Sequence, residues 1–496
     1  MTASGGGSLL VVDVGTSGVR AGIVRPDATV DHVHHVSVLP LTPAPGLVEV
    51  DGRRVAEAAL SVASAALAEG GPVDGVGIAN QRATTMVWDR RSGAPVAPGI
   101  GWQDLRTVGT CLALQADGIR LMPNASATKL AAILDDVDPG RRRAADDLCF
   151  GTIDSWVAWT LSGGADGSAL HVTDATNAGV TALVTGDVAW DDTVLEVLGI
   201  PRSMLPRIVD SSGAVGEASA LSGAPPICGI VGDQQASLIG QGCTRPGLAK
   251  ATFGTGGMLD LCTGDRTGSE TRGAAGTFPI VAWRRGGATT WGVEAVMLSA
   301  GTCVEWLRDD LGIVDSAEES AVVAARADGA ADVWFVPALL GMGTPVWDFG
   351  ARGTVVGITR GTGRPELVRA VLEGVAHRGA DLLEAAEADS GLDVGSLRVD
   401  GGMSANEVFI AALAEATGRP VEVSAELEAT TLGAGFLAGM AVGTWADEED
   451  VAAAYRPRAA VEPRLDEDVR SGRRTRWLDA RERSARTIPE LSGLAF

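Results

Sequence analysis

Apolar positions along this chain fall into short runs that break at glycine-rich turns, and one such unit occurs twice. In SLLVVDVGTSGVRAGIV, apolar residues 9–12 and 19–24 flank the turn 13–18, which predicts strand, glycine turn, strand. GLAKATFGTGGMLDLCTG repeats the pattern with its turn at 254–257. VDGVGIAN, residues 73–80, reads as a further buried strand. PPICGIVGDQQASLIGQG predicts a strand, a turn at Gly232 and Asp233, and a short helix. LRVDGGMSANEVFIAALAEATG predicts strand, glycine turn and a helix with Val408, Ile410, Leu413 and Ala416 apolar, closed by Gly418. RPELVRAVLEGVAHRGADLLEAAEADSG is a long amphipathic helix: Pro365 opens it, Glu366 suits its first turn and Gly391 follows its end. Residues 99–223 mix helical segments and loops. HVHH falls in a solvated edge strand, and the tail after Asp447 carries both charge signs and reads as solvated helices and loops.

Alternating strands and helices predict an α/β protein with two loosely similar halves, each opening on a strand–Gly/Thr turn–strand unit. The boundary is placed at residues 241–247, dividing the chain into 1–243 and 244–496. A length of 496 residues is more than one ordinary core needs, in line with several domains. With 46% hydrophobic residues the chain is globular, and 66 glycines supply its many tight turns. The net charge of -23 repels phosphate backbones, so nucleic acid is not expected as a partner. A nucleotide remains compatible, because backbone N–H groups can bind phosphate locally inside an acidic protein.

The six cysteines are scattered without a CxxC pair, which predicts buried free thiols rather than a disulfide framework or a zinc site. The five histidines show no metal-binding spacing. The start MTASGGGSLL lacks a basic segment followed by an apolar run, so no signal peptide is expected. No apolar run is long enough to cross a membrane, and the expected location is cytoplasmic.

The turn DVGTSG offers a carboxylate, two hydroxyls and several N–H groups, which make an anion nest; alone it could equally be a plain hairpin turn. A second turn, FGTGGM, shifts the balance, since two such turns in two halves can face one phosphate chain from both sides. There is no GxxxxGK[ST] and no GxSxG, which excludes a Walker-type site and disfavours a serine hydrolase. In GDQQ, Asp233 stands at a strand-to-helix junction, where it can cap the helix, act as a general base or associate with a metal. NQRATT and GIGWQDLRT each end an apolar segment. Arg82 could bind hydroxyls or phosphate and Trp102 could cover the carbon face of a polyol; the plainer alternatives are a surface arginine and a core tryptophan.

These segments, with NQRATTMVWDRRSGAPV, GWQDLRT, FGTIDSW, VTDATNA, LEVLGIPRSMLP, GDQQASLIGQ, FGTGG and RVDGGMSAN, resemble the FGGY kinases of sugars and polyols, most closely the glycerol kinases. The resemblance runs from residue 9 to about residue 477. GTVVGITRGTGRPELVRAVLE, residues 353–373, fits the family's second signature throughout. NASATKLAAILDD meets the first only in part: Lys129 is present, but Ala132 and Asn124 replace the family's tryptophan and an aromatic. The resemblance implies two actin-like, ribonuclease-H-like lobes with an interlobe catalytic cleft closing over ATP and Mg²⁺. It implies that Thr16, Ser17 and Arg20 contact phosphates from the first lobe, and Thr255 and Gly256 from the second. Gly301, Gly402 and Asn406 would line the nucleotide side, with Glu305 where glycerol kinases usually carry glutamine. Asp13 and Asp233 would sit near magnesium, with Asp233 the base, and Gln234 would lie beside the acceptor. A homo-oligomer, dimer or tetramer, is expected on the same ground.

The departures fall on the acceptor pocket. Glycerol kinases read Asn-Gln-Arg-Glu, and the glutamate binds glycerol hydroxyls; here the position is Ala83. A tyrosine that also binds glycerol aligns with Asn124, and an aromatic that packs on its carbons aligns with Met258. Arg82, Trp102 and Asp233 remain. The loop GEASALSGAPP lacks the histidine or basic groups through which some glycerol kinases are regulated, so no such control is expected. The expected activity is ATP-dependent phosphorylation of a small polyol or sugar, glycerol first by similarity. Alternatives are a kinase of another polyol or ketose such as a tetritol or pentulose, a degenerate ligand sensor, and an actin-like ATPase. The last has no use for a polyol pocket holding Arg82 and Trp102.

Overall fold

The computed structural model describes residues 7–166, 169–267, 272–327, 332–425 and 428–494. Thirteen strands build its central sheet: β1 (Leu9–Val14), β2 (Gly18–Val24), β3 (Val30–Ser37), β4 (Gly75–Asn80), β5 (Ser212–Glu217), β6 (Pro226–Gly232), β7 (Ala249–Phe253), β8 (Gly257–Gly264), β9 (Phe278–Arg285), β10 (Ala288–Met297), β11 (Leu397–Asp400), β12 (Val421–Ser424) and β13 (Pro457–Val461). Their order is β13-β12-β11-β7-β8-β10-β9-β5-β6-β4-β1-β2-β3. The helices that matter for the site are α1 (Gly52–Gly70), α2 (Ser126–Val137), α3 (Ile153–Leu161), α4 (Asp233–Gly240), α5 (Arg364–Ser390), α6 (Glu407–Thr417), α7 (Ala429–Val442) and α8 (Glu467–Ser484).

Each half repeats one device. The hairpin β1–β2 is antiparallel, and its first strand pairs in parallel with β4. The hairpin β7–β8 is antiparallel, and its first strand pairs in parallel with β11. This is the expected pair of actin-like lobes. A single residue pair, Ser212 with Arg285, joins the two half-sheets.

The first strand is apolar at nearly every position because both its faces are covered. Leu10 and Val12 pack with Val55, Ala59 and Val62 of α1 and Trp156 of α3. Leu9 and Val11 face the other way and pack with Val231, Leu432, Phe436 and Leu437. In the second half Phe253, Leu259 and Leu261 meet Val371 and Val375 of α5 and Phe409 and Leu413 of α6.

The proposed division at 243/244 falls in the connection between α4 and β7, and the chain beyond it sends α7 back onto β1, β4 and β6. There α7 crosses α4 at two glycines. A Cβ on Gly433 would lie 2.6 Å from the Ala236 carbonyl carbon and 2.9 Å from the Gly240 nitrogen, backbone atoms that cannot step aside. Gly433→Ala is expected to cost about 1–3 kcal/mol, read as a lower midpoint of denaturant unfolding; an unchanged midpoint would show that the crossing is slack.

Two end segments show how charge can hide structure. HVHH lies in the edge strand β3, as expected, with His34 Nε2 3.2 Å from Glu69. The tail departs from a merely solvated surface: β13 is an edge strand of the main sheet and α8 docks on α5. Trp477 is fully buried and stacks on His377 at 5.2 Å, while Arg474 and Arg481 pair with the buried Asp381 of α5. Several of the charges that suggested solvent find protein partners, while much of the tail is exposed as expected. All six cysteines are buried and free, as expected. Among the described residues no helix is long and apolar enough to cross a membrane.

Candidate active site

The first turn is a tight hairpin end, with Gly15 N–H donating to the Gly18 carbonyl at 2.9 Å and Ser17 exposed at the tip. Gln81 fastens it from β4: its backbone N–H donates to Val14 O at 2.7 Å and its side chain to Gly15 O at 3.2 Å. The indole N–H of Trp102 donates to Thr16 Oγ1 at 3.3 Å. Asp13, last but one in β1, lies directly opposite Arg20. Arg20 is also paired with Glu428 at the foot of α7. Burial pushes the Asp13 carboxyl up to about 7; Arg20 pulls it down, and Asp233 and Glu428 push it further up.

The second turn repeats the first, with Gly254 N–H donating to Gly256 O at 2.9 Å. The segment 300–302 braces it: Ala300 N–H reaches Thr255 O at 2.9 Å and Gly301 N–H reaches Gly254 O at 2.8 Å. Gly301 is required there, since a Cβ would stand 2.6 Å from Gly254 O. Thr255 and Glu305 are exposed. A Cβ on Gly254 or Gly402 would meet nothing within 4 Å, so both border open space that a ligand could fill. Asn406 caps α6, accepting from Phe409 N at 3.0 Å, and donates to Ser320 Oγ at 3.0 Å.

The run Asn80, Gln81, Arg82 divides its work. Asn80 is fully buried and forms a reciprocal amide pair with Asn177, whose amide also donates to Asp174. Gln81 serves the turn. Only Arg82 reaches the centre, its Nε 3.5 Å from Asp233 and its Nη2 2.6 Å from Glu294. Ala83 follows, buried, at φ 61 in the left-handed region, its carbonyl accepting from Ser126 Oγ at 3.0 Å. Lys129 of α2, fully buried, donates to Gly101 O at 2.7 Å, Trp102 O at 3.0 Å and Asn124 O at 3.2 Å. One ammonium thus ties together the loops that carry Trp102 and the exposed Asn124.

Asp233 opens α4 and accepts from Gln234 N–H at 2.8 Å. Burial raises its carboxyl above the usual range, and Arg82 and Lys250 draw it back. Strand register places the rest of the centre. Successive side chains point to opposite faces, so with Leu259 and Leu261 in the core, Met258 and Asp260 share the other face. Thr252, Met258 and Val296 form one cross-strand row; Lys250, Asp260 and Glu294 form the next. Lys250 forms an ion pair with Asp260 at 2.7 Å and donates to Gln234 Oε1 at 2.7 Å. Burial first, then Glu294 beside it, holds the Asp260 carboxyl up at about 7.

Asp13, Arg20, Arg82, Asp233 and Gln234 are therefore one electrostatic group, with Thr16 linked to it through Trp102. Thr255, Gly256 and Gly301 are one hydrogen-bonded turn, with Met258 one row from the charged rung. Asn124 joins through Lys129. Gly402, Glu305 and Asn406 lie further along the second half. Lys250, Asp260 and Glu294 escaped the sequence reading. The available signal was a lone charge inside apolar strands, in GLAKATF, GMLDLCTG and WGVEAVM, where every buried charge needs a partner.

The donor set fits a divalent cation and phosphates. Asp13 is recessed, and burial and the neighbouring Asp233 both push its carboxyl up, which a cation would relieve; Mg²⁺ binds through one or two carboxylates plus phosphate oxygens and waters. The two glycine turns present backbone N–H groups, and Gly254 and Gly402 leave room for close approach.

Residues 8–240 match the N-terminal domain of the FGGY family of carbohydrate kinases, and residues 249–442 match its C-terminal domain. The chain is 42% identical over 495 residues to the glycerol kinase of Trichlorobacter lovleyi, covering 96% of this chain and 98% of that one. It is 42% identical over 494 residues to the glycerol kinase of Aromatoleum aromaticum, covering 96% and 98%. Its structure is similar to that of Plasmodium falciparum glycerol kinase with ADP, at a TM-score of 0.89 and 26% identity over 96% of this chain and 98% of that one.

Proposed function

Since the chain belongs to the FGGY family of carbohydrate kinases, we propose that its cleft transfers the γ-phosphoryl group of ATP to a hydroxyl of a short polyol, with glycerol as the reference acceptor and a longer tetritol also admitted. Curated relatives about 40% identical over nearly their whole length are glycerol kinases. The observation that carries the reading is Asp233 at the first turn of α4, 3.5 Å from Arg82 and coupled electrostatically to Asp13.

The chemistry needs positioning and charge neutralisation more than covalent help. Thr16 and Ser17 on one side, and Thr255 and Gly256 on the other, bind the phosphates through turn N–H groups and hydroxyls. Gly301, Gly402 and Asn406 border the nucleotide, with Glu305 at its rim. Arg82 and Gln234 hold acceptor hydroxyls and Trp102 covers the carbon face. Asp233 takes the hydroxyl proton as that oxygen bonds to the γ-phosphorus, and the bond to the β,γ-bridging oxygen breaks with its electron pair leaving on ADP. Magnesium, held by Asp13 and Asp233, supplies positive charge against the phosphates when bound. Lobe closure excludes water, the competing acceptor. Residues 1–243 and 244–496 are proposed as the two functional units, in a cytoplasmic homo-oligomer.

The pocket is widened where Ala83, Asn124 and Met258 stand. Ala83 already holds a left-handed φ with a Cβ in place, so Ala83→Glu adds a carboxylate without new backbone strain. A hydrogen-bonded carboxylate is worth about 1–3 kcal/mol, so Ala83→Glu is expected to raise kcat/KM for glycerol roughly tenfold or more. ATP consumption with glycerol, a tetritol and a pentulose, on wild type and Ala83→Glu, tests both statements. Silence on every acceptor with ATP binding intact would remove the kinase reading. Excellent wild-type turnover of glycerol, unimproved by the substitution, would show that the missing glutamate is of no consequence.

A further inference from the structure

We propose that Glu294 is the positioning residue that aims Arg82 at the acceptor; this rests on the kinase reading of the same cleft. The Arg82 guanidinium has three nitrogens, each in a different setting. Nε faces Asp233 at 3.5 Å and Nη2 is bonded to Glu294 at 2.6 Å. Nη1 is buried and has no hydrogen-bond partner among the described residues. A buried guanidinium N–H without a partner is costly, and here it is the nitrogen left for an acceptor hydroxyl.

The side chain is held on three sides. Beneath it lies Gly232, where a Cβ would stand 2.7 Å from Arg82 Cδ and 2.8 Å from Cγ, so only glycine lets the stem lie flat. Asp233 and Glu294 take up two of the three guanidinium nitrogens and leave the N–H groups of Nη1 for an acceptor. Ala83, next in the chain, brings no carboxylate, so the second grip comes from β10, across the proposed lobe division.

Glu294 is buried and stands in a row of charged residues. It lies directly opposite Asp260, which lies directly opposite Lys250. Lys250 grips Asp260 and, through Gln234, the start of α4. The row therefore runs from Arg82 through Glu294, Asp260 and Lys250 to Gln234, beside Asp233. It makes the aim of the acceptor-binding arginine and the placement of the base one arrangement, built from both halves. The charged groups bearing on Asp233 are Arg82, Lys250 and Glu294, with Asp13 coupled to it.

The test is steady-state kinetics of wild type, Glu294→Gln and Glu294→Asp with ATP and glycerol or the tetritol, whichever the wild type uses. Glu294→Gln is expected to raise the acceptor KM about tenfold or more and leave the ATP KM within about twofold. Glu294→Asp should recover most of the acceptor KM. Should Glu294→Gln not fold, Glu294→Asp is compared alone and in an Arg82→Lys background, where the lost fork should make it nearly silent. An acceptor KM unchanged in Glu294→Gln, or equal rises in both KM values, overturns the positioning role while leaving the kinase reading intact. A wild type that phosphorylates no polyol or ketose overturns both.

Discussion

Asp233→Asn is expected to lower kcat by about 10²–10⁴-fold while ATP still binds. The substitution keeps the shape at the start of α4, and an amide oxygen can still accept the 2.8 Å bond from Gln234 N–H. What it removes is a proton acceptor. Arg82 and Lys250, which draw the Asp233 carboxyl back toward ionisation against the effect of burial, then face a neutral group. The acceptor hydroxyl has no base at its proton, and the attacking oxygen must develop its charge unaided. Calorimetry with a non-hydrolysable ATP analogue and single-turnover phosphoryl transfer separate the two quantities. Retention of more than about a tenth of wild-type kcat would assign the base elsewhere.

Asp381→Asn is expected to destabilise the fold by about 3–5 kcal/mol, the largest stability loss predicted for a single side chain here. Asp381 is buried in α5 and pairs with three arginines: Arg378 at 2.5 Å, Arg481 at 2.9 Å, and Arg474. Removing its charge leaves their positive charges buried or half-buried together, and the dock of α8 on α5 loses its central tie. The same carboxyl sets an acid limit. Burial raises it, but the three arginines outweigh burial and hold it down at about 2. A folded-state value below the unfolded one of about 3.9 means that its stabilisation is complete above about pH 4 and is lost as pH falls through about 2. Urea unfolding at several pH values should show the wild type losing stability over that window, with Asp381→Asn starting low and losing less. Equal midpoints at neutral pH would contradict this account.

Much of the architecture was legible because apolar runs end where glycine turns begin. Both hairpins, β4, the β6–α4 junction and the long helix closed by Gly391 lie where the pattern places them. Of the polar run after β4, types alone could not say that Asn80 faces Asn177, that Gln81 staples a turn, or that Arg82 alone reaches the cleft. Those assignments depend on residues 66 or more positions away. Glu294 and Asp260 were hidden for the same reason: their meaning is a register between strands, which no local window contains. The tail misled in the opposite sense, since arginines that suggest solvent pair with buried acid, and one tryptophan supplies the apolar anchor.

The return of α7 has a consequence for how the molecule is made. Leu9, Val11 and Val231 wait for Leu432, Phe436 and Leu437 to cover them, yet synthesis runs from the N-terminus and delivers those residues near its end. The first lobe therefore leaves the ribosome with one face of its sheet covered only by α4 and waits for the rest of its cover while the second lobe is built. For most of translation the nascent chain presents an apolar, strand-rich surface of the kind that aggregates unless chaperoned. Any product ending before Leu432 would keep that surface open for good.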